Sequence, residues 1–486
     1  MCFVVKHSAP TAAARGPFGY YDPGEQFYDE AFGEPGVARS HYAELLAGLE
    51  GADLEALRRQ VCTELQQSGV SFGGAGGTTP FAVDPIPRII PVEEWRQVEA
   101  GAVQRVRALN AFIADAYGER RMVAAGRIPG RAVERADHHE PHMRDVPVPG
   151  GVYAHVAGLD LVRGPDGRFQ VLEDNLRTPS GLTYALAARE MTDGRLPVSP
   201  PAARRSLDSM LEVLGAALRA AAPDGRGDPS VVLLSDGPSN SAWYEHRELG
   251  RLLEIPIVGL GDLSVHAGAL HARLSDSAPA RRVDVLYRRT DIDGLTGADG
   301  KPTEIGAALL EPCRRGRLAC VNAFGAGVAD DKLVHAYVEE MIRFYLDEQP
   351  ILRSVPTYDL QNHAVRERAL ARLEHLVVKP RTGHGGFGIV ICAHATAVDR
   401  HRVAGRIRAD PDRYVVQETV GLSTHPTVAG NSLAPRHVDL RPFVITVGDD
   451  VHVVPGGLTR VAFDEGALVV NSSQNGGGKD TWVLGR

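Results

Sequence analysis

Apolar positions recur with helical spacing over Ser40–Leu49, over Leu54–Ser68 and, at greatest length, over Val92–Tyr117, where the pattern stops at Gly118. Two more helices are predicted at Thr183–Met191 and Ala202–Ala222. A Gly-rich link around Gly73–Gly77 leads to the proline-rich Phe81–Pro91, which predicts an extended segment. Leu159–Arg163 and Arg168–Glu173 read as strands, and Gly164-Pro165-Asp166-Gly167 between them is turn chemistry, so this stretch predicts a β-hairpin. The pattern breaks at Asp224–Pro229. Beyond it, strands at Ser230–Leu234, Pro256–Leu260 and Val283–Tyr287 surround a helix at Trp243–Leu253, the signature of a small α/β unit with a parallel sheet. From about Ala329, Asp330-Asp331-Lys332 caps a helix running to about Leu346. Strands follow at Leu376–Lys379, Ile389–Cys392, Tyr414–Gln417, Leu440–Val447 and Val451–Pro455. The class is α/β with α+β elements, divided as a loosely ordered 1–26, then 27–225, 226–325 and 326–486.

Composition narrows the function. The 486 residues are 43% hydrophobic with a net charge of −8, which suits a globular protein and argues against nucleic-acid binding dominated by phosphate contacts. Five scattered cysteines form no C-x-x-C pair, which points to a reducing compartment and away from structural zinc. The apolar run before Lys6 is too short for a signal peptide, and no run of about 18 apolar residues exists. The expectation is a cytoplasmic protein with no membrane partner.

Two constellations carry chemistry. If the hairpin turn closes symmetrically, Asp160 faces Val171, and Val171, Glu173 and Asn175 share its side of the sheet. Two carboxylates and an amide oxygen suit Mg²⁺, although a surface hairpin with solvated carboxylates has the same pattern. The second constellation is VVKPRTGHGGFG, Val377–Gly388. It contains G-x-G-x-x-G, but a β-branched run follows where a dinucleotide-binding turn would open a helix. A glycine flap between two strands can expose backbone N–H groups to phosphates, with Lys379 as a point charge. A Gly-rich hairpin with a solvated lysine reads the same way. Ser235–Asn240 at the carboxyl end of the small sheet's first strand is either a ligand-binding turn or an ordinary tight turn.

Lys332 and Lys379 look like the two nucleotide lysines of ATP-grasp enzymes, and Asp160, Glu173 and Asn175 match the D…E-x-N metal motif followed by Thr178-Pro179-Ser180-Gly181. Here the metal motif precedes the lysines, the reverse of the usual order. With FYDEAFGEPG, VLEDNLRTPSG, GVADDKLVHAYV, LVVKPRTGHGGFGI, APRHVDLRPFV and NSSQNGGGKDTWV, the chain resembles the circularly permuted ATP-grasp type 2 family, distantly related to the synthetase domain of glutathionylspermidine synthetase. The resemblance implies an ATP-grasp fold with a small pre-ATP-grasp-like parallel sheet inserted between the metal-binding and lysine parts. It implies ATP and Mg²⁺ as cofactors, with the metal on Asp160, Glu173 and Asn175. Nucleotide contacts would fall to Lys332, Lys379, Gly383, Gly385, Gly386, Gly388, and Gln417 with Glu418 at the adenine hinge. His384 stands in the flap where a small residue is usual, and Glu418 where proline is. Arg441, Arg460 and Arg177 would stabilise an acylphosphate, or else make structural ion pairs. Asn471 and Gly476–Lys479 would form a loop near the metal or a flexible tail. The implied activity is ATP-dependent joining of a small-molecule or peptide carboxylate to an amine. A non-catalytic nucleotide-binding partner of a modification system and a phosphotransferase are the alternatives.

Overall fold

The computed structural model describes residues 18–485, apart from 75–76, 226, 276, 291, 293, 298–300, 384–387 and 468–475. One ten-stranded sheet organises it. From one edge the order is Arg353–Ser354, Phe169–Asn175, Val156–Arg163, Ser432–Arg441, Leu458–Ala462, Gly476–Val483 and Val83–Ile90. Thr424–Ala429, Phe443–Val447 and Asp450–Val453 extend it off the middle strands. The proline-rich segment is the edge strand Val83–Ile90, parallel to Gly476–Val483. Its register jumps from Lys479 opposite Asp84 to Thr481 opposite Arg88, so Pro85 and Pro87, which cannot donate to the ladder, fall in the irregularity.

The predicted long helix is present at Val92–Tyr117. Trp95, Val98, Ala102, Val106, Leu109, Phe112 and Ala116, spaced three or four residues apart, form its buried stripe, with Ile113 beside them. That stripe packs on Leu159, Leu161 and Val171 from the hairpin and on Val338, Met341 and Ile342. Each large apolar side chain buried this way contributes about 1.5–3 kcal/mol. Helices Leu182–Thr192 and Ser209–Ala220 cover the other face, against Val156, Phe443, Ile445 and Leu458.

A second, wholly parallel sheet runs Ala319–Val321, Val285–Arg289, Val231–Ser235, Ile257–Val258, as the alternating pattern predicts. Asn322, just past its edge strand, ties it to the hairpin: the side chain accepts from Val156 N and donates to the Val156 and Leu176 carbonyls. The third layer is antiparallel, in the order Thr357–Asp359, Tyr414–Glu418, Leu376–Pro380, Val390–Ile391. Helices His363–Ala371 and Ala397–Ala409 flank it, with Leu360, Leu376, Val378, Val403, Ile407 and Val416 as its core.

Several expectations change. The 202–222 helix begins only at Ser209, because Arg204 bridges to Leu484 and pairs with Asp193. The helix after Asp331 is interrupted, Lys332–His335 then Val338–Leu346. The Gly73–Gly77 link is part of a hairpin, Ser71–Gly74 with Gly77–Pro80. Leu440–Val447 divides at Pro442 into two strands that both pair with Val156–Arg163 but differ in their other neighbours. Residues 18–26 hold the buried Tyr21, stacked on Phe32 and donating to Asp29 at 2.7 Å; residues 1–17 lie outside the described residues.

The Gly476–Lys479 tail, expected as a loop, is the start of a central strand. A Cβ on Gly477 would sit 2.4 Å from Phe463 and one on Gly478 2.5 Å from Phe81, so glycine is needed there for packing. Lys479 is fully buried on Asp84 and the Ile86 and Pro426 carbonyls, which removes it from phosphate chemistry. Asn471 is outside the described residues.

Candidate active site

The hairpin closes over Gly164–Arg168, one residue more than Gly164–Gly167, so Arg163 pairs with Phe169. A bulge at Leu172 shifts the register once more, and Asp160 therefore faces Glu173 directly, with Gly158 opposite Asn175. The pairing of Asp160 with Val171 is thereby corrected. Val171 pairs with Leu161 and points to the opposite face, buried with Leu159 and Leu161. The bulge converts a diagonal approach of two carboxylates into a facing pair.

Next in the sheet, Leu440 pairs with Leu161, which sets Arg441 beside Asp160, and Asp439 pairs with Arg460 on the following strand. The side chains use this alignment. Arg441 donates to Asp160 through Nε at 2.6 Å and Nη2 at 2.8 Å, and Arg460 Nη2 donates to Asp160 Oδ2 at 2.8 Å. Arg460 Nε also reaches Asp439 at 2.8 Å. Burial alone would raise the Asp160 carboxyl; the two guanidiniums overturn this and hold it at about 2. Asp439 is pushed up by burial, aided by the repulsion of Asp160, against the pull of its bonded Arg460 and of the Arg441 charge.

Glu173 takes the two lysines. Lys379, from the antiparallel sheet, donates to Glu173 Oε1 at 3.2 Å, and Lys332 adds its charge; together they lower the Glu173 carboxyl against burial. Lys332 Nζ donates to the Gly383 carbonyl at 2.9 Å, at the entrance of the glycine loop. Asn175 Nδ2 is buried and has no hydrogen-bond partner. An orphaned amide beside two carboxylates on one sheet face is what a bound ion or phosphate would satisfy, and half a turn of the amide presents its oxygen. Glu173 and Asn175 therefore fit Mg²⁺. Asp160 fits through the lone pairs its arginines leave free. Among the described residues no three His, Cys, Asp or Glu are grouped so as to hold a metal ion by themselves.

A cavity of about 140 Å³ has Asp160, Glu173, Asn175, Arg177, Lys332, Gly383, Arg441 and Arg460 on its walls, while Lys379 is not among its lining residues and reaches it only through Glu173. Asp330, Asp331, Arg381, Asp137 and His138 add further charged and polar groups to its lining. Asp330 does not cap the helix; its carboxylate accepts from Leu176 N at 2.7 Å and Arg177 N at 3.3 Å, fixing the chain just past Asn175. Burial pushes this carboxyl up to about 6. Asp331 is the helix cap, accepting from Leu333 N, and also pairs with Arg381 at 2.9 Å. Gln417 is buried and donates to the Leu172 carbonyl at 3.2 Å, beside the bulge. Glu418 accepts from Tyr358 at 2.6 Å and from Arg372, and neither it nor Gly388 is on the cavity wall. His384, Gly385 and Gly386 lie outside the described residues.

Sequence reading missed the supports. Asp174, on the hairpin face opposite Glu173, accepts from Arg105 at 2.6 and 2.8 Å and from His335 at 2.7 Å. Against burial, Arg105 and His335 hold its carboxyl well below the usual range. His335 is one helical turn after Lys332, so this buried triad fixes the Lys332 helix to the hairpin that carries Asp160 and Glu173. The one available signal was a charged residue, Arg105, in the apolar stripe of the long helix.

A sequence pattern described as circularly permuted ATP-grasp type 2 matches residues 87–462, which include every charged residue of this cavity. The chain belongs to that family. The permuted order is visible in the structure: the Val156–Asn175 hairpin comes first in sequence, yet Glu173 touches Lys379 from the last part. Among relatives, "Uncharacterized protein sll0335" of Synechocystis is 42% identical over 96% of this chain and 98% of its own. "Uncharacterized protein Rv2411c" of Mycobacterium tuberculosis is 39% identical over 99% of this chain and 88% of its own. "Putative glutamate--cysteine ligase 2-3" of Frankia alni is 43% identical over 94% of this chain, which spans only 54% of that protein. The solved structure of a glutathione synthetase like-effector (GSS30) from Globodera pallida matches the fold with a TM-score of 0.55 at 11% identity, covering 89% of this chain and 97% of that one. No helix among the described residues is long and apolar enough to cross a membrane.

Proposed function

We propose that this permuted ATP-grasp protein is an ATP-dependent carboxylate–amine ligase that works through an acylphosphate. The observation that carries the reading is the meeting, around one cavity, of Lys332, Glu173, the unpartnered Asn175 and two arginines, with Lys379 paired to Glu173 behind the wall. The printed names of the Frankia and Globodera proteins lean the same way, but the substrates of neither pass to this chain. The reading takes a small-molecule or peptide carboxylate and an amine as partners, and ATP as the phosphoryl donor.

In the first step a carboxylate oxygen attacks the terminal phosphorus of ATP, the bond to the bridging oxygen breaks, and ADP leaves. Negative charge spreads over the transferred phosphoryl, so preplaced cations lower the barrier. Lys332 on the cavity wall and Lys379, paired with Glu173, supply point charges beside Glu173. Mg²⁺ on Glu173, Asn175 and Asp160 would neutralise phosphate oxygens and align them. Arg441 and Arg460 are held by Asp160, Asp439 and the Ser180 carbonyl, so their remaining N–H groups point in fixed directions and need no reorganisation as charge develops on the acyl oxygen. In the second step the amine attacks the acyl carbon, phosphate leaves with the bonding pair, and the amine's extra proton passes to solvent.

A screen of amino acids and small amines for ADP release with Mg²⁺ tests this, with Glu173→Ala as control. ADP release that needs both an acid and an amine, and that disappears in the control, is the expected result. Transfer to a hydroxyl would make the protein a phosphotransferase, and nucleotide binding without turnover under any pairing would make it a non-catalytic partner.

A further inference from the structure

The small parallel sheet reaches the candidate active site through one buried guanidinium. Arg289 ends the Val285–Arg289 strand and is 3% exposed; Glu245, on the helix Trp243–Leu252, is fully buried. Arg289 Nη2 donates to Glu245 Oε1 at 2.8 Å and to Ser180 Oγ at 2.6 Å, and its Nη1 donates to the Pro179 carbonyl at 2.7 Å. Glu245 uses its other oxygen, Oε2, to accept from Gly181 N at 2.9 Å and Thr183 N at 3.1 Å. The turn Pro179–Thr183 is thus gripped on both sides by one ion pair from a strand and a helix of the small parallel-sheet unit.

The far side of the same turn touches the site. The Ser180 carbonyl accepts from Arg441 Nη1 at 3.2 Å, while Arg441 holds Asp160 with its other nitrogens. Close packing leaves the turn little freedom. A Cβ on Gly158 would lie 3.0 Å from Pro179 and 3.2 Å from Arg441, and one on Gly181, at φ +130°, 2.9 Å from Phe443. Moving Ser180 therefore moves the acceptor that sets the Arg441 fork.

We propose that Arg289, buttressed by Glu245, is a positioning residue for Arg441, acting through the Pro179–Ser180 peptide. The inference rests on the ligase reading only for its kinetic consequence. A buried ion pair is weak evidence of net stability, because desolvation offsets much of the attraction, so a pair whose Nη1, Nη2 and Oε2 atoms all bind one turn, even with Arg289 Nε left buried and unpartnered, has a better account as a device for geometry. The small sheet then contributes to the reaction by fixing a guanidinium it does not carry.

The test uses the full chain in two arms. In the first, urea denaturation is followed for wild type, Arg289→Lys, Arg441→Lys and the double variant. The expected result is non-additivity, with the Arg289→Lys shift reduced at least twofold in the Arg441→Lys background. Additive shifts would overturn the proposal, whatever the protein's activity. In the second arm, ADP release is measured with Mg·ATP and the acid–amine pair found by the screen. Arg289→Lys should lower kcat by about tenfold to 10²-fold, with KM for ATP within about twofold of wild type, the scale expected when a reacting group is displaced by a fraction of an ångström or more. Ser180→Ala, which keeps the carbonyl to Arg441 but removes one Arg289 acceptor, should give a smaller kcat loss in the same direction. An unchanged kcat, or losses in kcat and rising KM that merely track falling stability, would overturn the positioning role. If wild type turns over no pair, the ligase reading fails while the denaturation arm still decides whether Arg289 and Arg441 are coupled.

Discussion

Asp160→Asn is the sharpest perturbation of the site, because one atom change removes the charge that three guanidinium donors share. The side chain keeps its size, so the effect is electrostatic. In the folded protein the carboxyl sits at about 2 against an ordinary 3.8, which corresponds to about 2 kcal/mol of stabilisation at neutral pH. Leaving buried arginines without their partner raises the cost toward about 3–5 kcal/mol. Arg460 retains Asp439, and Arg441 retains only the Ser180 carbonyl, so most of the penalty falls on Arg441. The expected loss is therefore about 2–5 kcal/mol, read as a lower urea midpoint by the fluorescence of Trp95 and Trp482, both buried against or within the large sheet. The pH dependence has a fixed sign. A depressed carboxyl stabilises the fold above its unfolded value and loses that contribution as pH falls through its folded value. The gap between wild type and Asp160→Asn should hold from neutral pH to about 4 and close between about 4 and 2. A loss below about 1 kcal/mol, or a gap that does not close with acid, would refute the ion cluster as the holder of Arg441.

Asp174→Asn should cost about 3–5 kcal/mol by stranding Arg105, and should also weaken ATP binding because His335 no longer ties the Lys332 helix to the hairpin; calorimetric titration with Mg·ATP checks the second part. Lys379→Ala should reduce ATP affinity at least about tenfold by removing a charge-assisted contact of about 1.5–3 kcal/mol, measured the same way. Gly478→Ala should destabilise by about 1–3 kcal/mol, seen as a lowered melting temperature, because its Cβ overlaps Phe81 in a packed strand; a neutral result would return the tail to a loop role.

Much of the site was legible because it is local. Asp160, Glu173 and Asn175 follow from a turn and a period of two, and Lys379 from a strand that stops at glycines. The bulge at Leu172 was not legible, since nothing in Val171-Leu172-Glu173 distinguishes a bulged strand from a regular one. Two single-residue shifts happened to preserve the face shared by Asp160 and Glu173 while reversing Val171. Helix boundaries failed where a distant strand competed for the backbone, as at Arg204 with Leu484. The ties among Asp174, Arg105 and His335, and between Arg289 and the Pro179–Ser180 turn, join residues 69 to 161 and about 110 positions apart, beyond any periodicity. The tail glycines misled for a physical reason: a packed central strand and a phosphate loop both demand the absence of a side chain.

Transfer of oxygen from acid to phosphate tests the acylphosphate most directly. With the acid that supports ADP release labelled in its carboxylate with ¹⁸O, the account predicts that each phosphate released with the amide carries one ¹⁸O atom, detected by mass spectrometry or by the isotope shift of its phosphorus resonance. Phosphate formed without label while amide accumulates would contradict it.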